Sequence, residues 1–423
     1  IKAAKLFSEN GRQIKAGDII SYVKTKTAEG VKPVELATHK EIDSEKYLEA
    51  MESTFDQLLT ALDVNFKSII GKPRQSNLDE LFWSDYQYRQ TALKINIITL
   101  NIHSSKLAKI LDLSDSFFIT PERTNAGCSF GDIDMKTSLN DANIVFFGIP
   151  LELTTSFGKG TSRGPEAIRS TSARQIETFV YDEKKDIKDI AKIFDLGDLD
   201  LPNYPDSGKI DSIFSFLDEK VPPLVKELSR TKKKLFILGG EHTISYFCLK
   251  GLTESQPLVI HFDAHRDLKP KYDGLKLCHT TQFYRLIEEG YIEGKNIIQI
   301  GIRQADHEEN NFAEKNGIIT FDPWEIKNNI DNVSEYISKV TENRTIYISF
   351  DIDVYDLPYV PCTGTPEPFG LDPFEVIKLI KSINNSANLV GMDLVEVSLK
   401  NDDYREGTLA TQTLLRIIPR KYV

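Results

Sequence analysis

Asp263, His265 and Asp267 stand at i, i+2 and i+4, directly after the run Leu258-Val-Ile-His-Phe262. That run is apolar and β-branched, as a strand buried on both faces requires. Alternate side chains of an extended chain share a side, so two carboxylates and an imidazole converge where the strand ends. Oxygen-rich ligation with some imidazole suits a hard divalent cation, manganese ahead of zinc. Asp351 and Asp353 repeat the arrangement after a second apolar run, and His242 follows the double glycine that closes a third. The candidate metal ligands are therefore His242, Asp263, His265, Asp267, Asp351 and Asp353. Their four carboxylates balance two divalent cations, and six ligands suit a pair of ions with shared carboxylates better than one ion. Two such ions, roughly 3.5–4 Å apart, activate a water held between them.

The elements that must position these residues read as α/β. Strands are predicted at Ile144–Phe147, Ile193–Gly197, Lys234–Leu238, Asn296–Gly301, Thr345–Phe350 and Leu389–Val395. Helices are predicted at Ile210–Arg230, Thr281–Glu289 and Val333–Thr341. The loop Thr154–Pro165 carries three glycines that give it permissive backbone, and Pro165 suits the first turn of a helix containing Ile168. Apolar strands alternating with helices predict a parallel sheet in the middle of three layers. Sites in such folds lie beyond the C-terminal ends of the strands, and every polar motif above falls there.

Length and charge bound the rest. A chain of 423 residues is expected to hold one to three domains. A formal net charge of −11 argues against a general nucleic-acid-binding surface. No apolar run approaches the roughly 20 residues of a membrane span, and no signal peptide is read. Cys128, Cys248, Cys278 and Cys362 show no close pairing pattern, so reduced thiols in the cytoplasm are expected. The chain begins with Ile1, which reads as a fragment or an internal product.

Residues 1–83 differ in character from the rest. Gly17–Val23 reads as a turn entering a strand, Val31–Ala37 as a second extended piece, and Ile42–Leu48 as the opening of a helix. In this order they resemble the C-terminal thumb end of archaeal B-family DNA polymerases. Gln75-Ser-Asn-Leu78-Asp-Glu-Leu81-Phe82-Trp83 is similar to a sliding-clamp-binding peptide, with Leu81 where an aromatic is usual. The polymerase's catalytic carboxylate motifs are missing from the sequence. A polymerase tail joined to another protein is the expectation, with a clamp-binding accessory role as the alternative function. Residues 84–118 read as a linker and residues 119–423 as the α/β domain.

Three motifs carry a second resemblance: Gly239-Gly-Glu-His242, Asp263-Ala-His-Arg-Asp267 and Ser349-Phe-Asp-Ile-Asp-Val-Tyr-Asp356. Together with Thr363-Gly-Thr-Pro-Glu367 and Asp393-Leu-Val-Glu-Val397, they resemble the ureohydrolases, the family of arginases, agmatinases and related guanidino hydrolases. The resemblance implies an arginase-like fold, two manganese ions, and a homo-oligomer, trimeric or hexameric. By motif match His242 and Asp267 would serve one ion and His265 and Asp353 the other, with Asp263 and Asp351 bridging. His279 would shuttle a proton to the leaving amine, Glu396 would hold the substrate guanidinium, and Thr365 would line that pocket. Glu241, Thr280, Leu357 and Cys362 depart from the family pattern without removing a ligand. The loop Leu268–Cys278 has no Asn or Ser to hold an α-amino acid head, which favours agmatine over arginine as substrate. Lys269, Lys271 and Lys276 favour 4-guanidinobutyrate if they face the pocket.

Overall fold

Nine strands form one sheet in the computed structural model of the protein, which describes residues 22–24, 31–33, 117–132, 137–202 and 208–421. The chain divides into two compact units, residues 1–94 and 95–423. In the first, β1 (Tyr22–Lys24) pairs antiparallel with β2 (Val31–Pro33), where the sequence predicted extended pieces. The helix expected to open at Ile42–Leu48 and the clamp-like peptide at 75–83 lie outside the described residues.

The second unit holds the large sheet. Its strands are β3 (Phe118–Ile119), β4 (Ile144–Ile149), β7 (Ile193–Leu199), β8 (Lys234–Gly239), β9 (Leu258–Phe262), β10 (Ile297–Ile300), β11 (Ile319–Phe321), β12 (Thr345–Asp351) and β13 (Asn388–Val395). Two short strands, β5 (Phe179–Val180) and β6 (Lys185–Asp186), pair apart from it. The order across the large sheet is β11-β10-β9-β12-β13-β8-β4-β7-β3. All neighbours run parallel except β3, which lies antiparallel on β7. Phe118 in β3 falls within the stretch read as linker, because a two-residue strand leaves no periodic signal.

Continuous burial marks the central strands: β4 and β9 are buried at every position. Alternation divides their side chains between two cores. Ile144, Phe146, Leu258, Ile260 and Phe262 face one core, and Val145, Phe147 and Val259 face the other. Helices Gly164–Arg174, Pro323–Thr341, Pro373–Ser382 and Arg405–Ile417 supply apolar residues to the first, and Lys209–Arg230 and Ile244–Lys250 to the second. The result is the three-layer arrangement that the alternating pattern predicts.

Register brings the motifs together. Phe350 is opposite Phe262, Asp351 opposite Val395, and Leu394 opposite Leu238. The C-terminal ends of β9, β12, β13 and β8, four neighbours at mid-sheet, therefore lie level. Each is followed by one of the polar motifs.

Candidate metal centre

Each motif is held by local backbone features. Beyond β9, the Asp263 N–H donates to Ile300 O, which keeps the strand direction for one more residue. The chain then turns, with His265 N–H donating to Asp263 Oδ1 at 2.5 Å and Asp267 at φ 55°. His242 is reached through Gly240, where a Cβ would sit 2.0 Å from the carbonyl oxygen of Leu151. Only glycine permits that approach. Glu396, just past β13, also has positive φ, 61°. Non-glycine residues held this way cost about 1–3 kcal/mol each and cluster at functional sites.

Two groups of ligand atoms result, joined by Asp263. In the first, Nδ1 of buried His242 lies 3.1 Å from Oδ2 of each of Asp263, Asp267 and Asp351. In the second, Nδ1 of His265 lies 3.0 Å from Asp353 Oδ2 and 3.4 Å from Asp263 Oδ1. Asp263 thus turns one oxygen to each group. Asp351 Oδ1 accepts the N–H of Asp353 at 2.9 Å, and Asp353 Oδ1 accepts that of Ala264 at 3.0 Å.

The protonation pattern decides what fits there. Ser349 Oγ donates to Asp393 Oδ1 at 2.8 Å and so accepts from His242 Nε2 at 3.0 Å. In the neutral ring Nδ1 is then a bare lone pair, buried and without a hydrogen-bond partner, facing three carboxylates. Lone pair against carboxylate is repulsive, and a cation resolves it. Burial opposes charge on His242, yet the facing carboxylates hold its pKa well above the usual histidine range. Burial, then repulsion from Asp353 and Asp263, pushes the Asp351 carboxyl well above its usual range. A buried pocket this negative, presenting imidazole nitrogen and carboxylate oxygen together, fits divalent metal ions.

The remaining expected residues surround the same cavity, about 200 Å³ in volume. Glu396 Oε1 accepts the N–H of His242 at 2.8 Å, and burial pushes the Glu396 carboxyl up to about 8. His279 places Nδ1 3.2 Å from Thr154 Oγ1 and Nε2 3.3 Å from Ser156 Oγ. Burial lowers its pKa, with Glu241 and Asp267 acting against that. Thr365 Oγ1 is 3.5 Å from Asp353 Oδ2. Every residue singled out in the sequence for the site borders this cavity or the two ligand groups. Lys271 and Lys276 are exposed and line neither, and Lys269 borders the cavity.

Sequence reasoning missed the supporting residues. His261 Nε2 donates to Asp263 Oδ2 at 2.8 Å, and its Nδ1 accepts from Gln299 Nε2 at 3.2 Å. Strand alternation contained the signal, since His261 and Ser349 each stand two residues before a ligand on the same side. Glu241 accepts from the N–H groups of Leu153 and Thr154 and from the hydroxyls of Thr154 and Thr243. The longer side chain, a departure from the family pattern, thus ties down the loop that carries Thr154 and Ser156 to His279. Arg303 donates to the carbonyls of Asp353, Tyr355, Glu367 and Pro368, and no sequence signal marks it.

The three-layer fold and this paired ligand constellation at the strand ends define a class, and comparison with known proteins names it. The arginase family model matches residues 142–418, and the chain belongs to the arginase family. It is 32% identical over 291 residues to an agmatinase of Chromobacterium violaceum, covering 66% of this chain and 84% of that protein. It is 33% identical over 268 residues to an agmatinase of Pyrococcus horikoshii, covering 63% and 88%. The agmatine ureohydrolase of Thermoplasma volcanium superposes with a TM-score of 0.60 at 29% identity, over 68% of this chain and 93% of that one. The proclavaminate amidino hydrolase of Streptomyces clavuligerus superposes with a TM-score of 0.61 at 28% identity, over 69% and 96%.

Proposed function

We propose that the chain is an amidinohydrolase that cleaves agmatine to putrescine and urea with two manganese ions. The observation that carries this reading is the buried Nδ1 of His242, 3.1 Å from a carboxylate oxygen of each of Asp263, Asp267 and Asp351, with Glu396 accepting the His242 N–H beside it. His242, Asp263, Asp267 and Asp351 would hold one ion, and Asp263, His265 and Asp353 the other, with Asp263 shared and Asp351 as the second bridging candidate. When bound, the ions supply Lewis-acid activation of the attacking water.

The protein's own residues do the rest. Glu396 orients the substrate guanidinium through charge-assisted hydrogen bonds, and neighbouring positive charge returns its raised carboxyl to the ionised form. Thr365 lines the same end. Water adds to the guanidinium carbon, and the carbon–nitrogen bond to the alkyl chain then breaks. His279, its ring fixed by Thr154 and Ser156, passes a proton to the departing amine. The loop Leu268–Cys278 offers no Asn or Ser to an α-carboxylate and α-amine, so arginine would bury charges with poor partners.

One observation favours a second reading, hydrolysis of 4-guanidinobutyrate: Lys269 borders the cavity. Urea release from agmatine, arginine and 4-guanidinobutyrate by the manganese-loaded protein separates the two. Agmatine is expected to be cleaved best and arginine poorly. No urea from agmatine with manganese bound would overturn the reading. The family resemblance supports a trimer or hexamer, and four free cysteines are in keeping with the cytoplasm. Among the described residues no helix is long and apolar enough to cross a membrane.

A further inference from the structure

We propose that Lys269 sets the choice of substrate tail: its charge is cancelled by Asp306 and Glu309, so the far end of the cavity accepts a cationic tail and rejects a carboxylate. This rests on the guanidino-hydrolase reading above and adds the recognition of the end that does not react.

Geometry defines that far end. The guanidinium end is set by Glu396 and Asp351, which border the 200 Å³ cavity. A second cavity of about 290 Å³ adjoins it, the two sharing His265, Asp267, Lys269, Thr280 and Gln304. Only the second reaches Asp306 and Glu309. A substrate anchored by its guanidinium therefore runs its alkyl chain past Lys269 towards those two carboxylates.

Lys269 is not available there as a free cation. Its Nζ is ion-paired with Asp306 Oδ2 and lies 3.2 Å from Glu309 Oε2. Both partners are fixed by the backbone as well. Asp306 caps the helix His307–Lys315, accepting from Glu309 N–H at 2.9 Å, while Glu309 accepts from Asp306 N–H at 3.2 Å and Leu268 N–H at 3.1 Å. One ammonium between two carboxylates leaves a net charge of −1 at the end of the channel. Glu367, bordering the first cavity, adds another negative charge. Agmatine brings an ammonium to this field. A guanidino acid brings a carboxylate, and Lys269, among the described residues the one lysine or arginine bordering the two cavities, is already engaged.

Two alterations push the charge in opposite directions. Asp306→Asn with Glu309→Gln keeps side-chain shape, and Asn still caps a helix, while the trio changes from −1 to +1. Lys269→Met changes it to −2. The measurement is kcat/KM for agmatine and for 4-guanidinobutyrate with manganese saturating. The agmatine preference is expected to fall at least about tenfold in the double variant and to rise in Lys269→Met, chiefly through KM. Damage to folding alone lowers both substrates together and leaves the ratio in place. Should the double variant fail to fold, an unmoved ratio in Lys269→Met overturns the proposal. So does a ratio that moves the same way in both variants. Urea release from agmatine by the unaltered protein is measured first. Its absence overturns the functional reading itself, whereas cleavage with an unmoved ratio overturns only the role of Lys269.

Discussion

Ser349, itself bonded to Asp393, holds Nε2 of His242 and so turns Nδ1 to three carboxylates, a placement that a cation there makes favourable. His261 does the matching work for Asp263. Its Nε2–H fixes Oδ2, and Gln299, itself bonded to the carbonyl of Arg266, fixes the ring from behind. Partners of this kind change metal affinity by about 10–100-fold when removed. His261→Phe is therefore expected to weaken manganese binding by about that factor, measured by titrating the metal-free protein, with activity recovering at high manganese. Asp263→Ala, which deletes the carboxylate shared by both ligand groups, is expected to abolish urea release at any manganese concentration. Equal manganese affinity in the parent and His261→Phe would show that the histidine only fills space.

At the scale of elements, the candidate ligands were legible because a strand has period two and its end is marked by the change from apolar to polar residues. The buried strands β4, β8, β9, β12 and β13 were read within a residue or two for the same reason. Helices fared less evenly. Pro323–Thr341 begins ten residues before the predicted Val333, because Asn329 at φ −141° interrupts its apolar period. The helices His307–Lys315 and Pro373–Ser382 went unread although each carries an Asp-x-x-Glu capping box. The segment Asp353–Pro368, which brings Thr365 and Glu367 to the cavity, has almost no periodic structure to read. It is held by Arg303, whose guanidinium gathers five of its carbonyls. Arg303→Met leaves those acceptors unsatisfied at about 1–3 kcal/mol for each that water does not reach. A loss of roughly 2–4 kcal/mol in denaturant unfolding is expected, with a rise in KM larger than the fall in kcat. Unchanged stability in Arg303→Met would mean that the segment is held elsewhere.

For the whole molecule the question is how much of the chain hydrolysis needs. Every site residue singled out in the sequence lies between His242 and Glu396, and Thr154 and Ser156, which hold His279, also fall inside the unit of residues 95–423. None comes from the segment whose sequence resembles a polymerase thumb. The start of the required part is set by β3. Phe118 and Ile119 pair with Leu199 and Asp198 of β7, and Phe117 is buried beneath them. Gly197, at φ 87°, lets Ile119 O approach so closely that a Cβ there would lie 1.9 Å away. Asp198 in turn ion-pairs with Arg169, a fully buried guanidinium that also holds Asp195 at 2.9 Å. Removing β3 bares the edge of β7 and opens this charge network to water, and bare edges invite pairing between chains. A chain starting at residue 112 keeps β3 and is expected to retain urea release and manganese binding. One starting at residue 125 lacks it and is expected to unfold at lower temperature and to aggregate. Turnover and light scattering of the two truncations, each manganese-loaded, check this. A folded 112–423 chain that binds manganese but releases no urea would show that residues before 112 belong to the catalytic machinery.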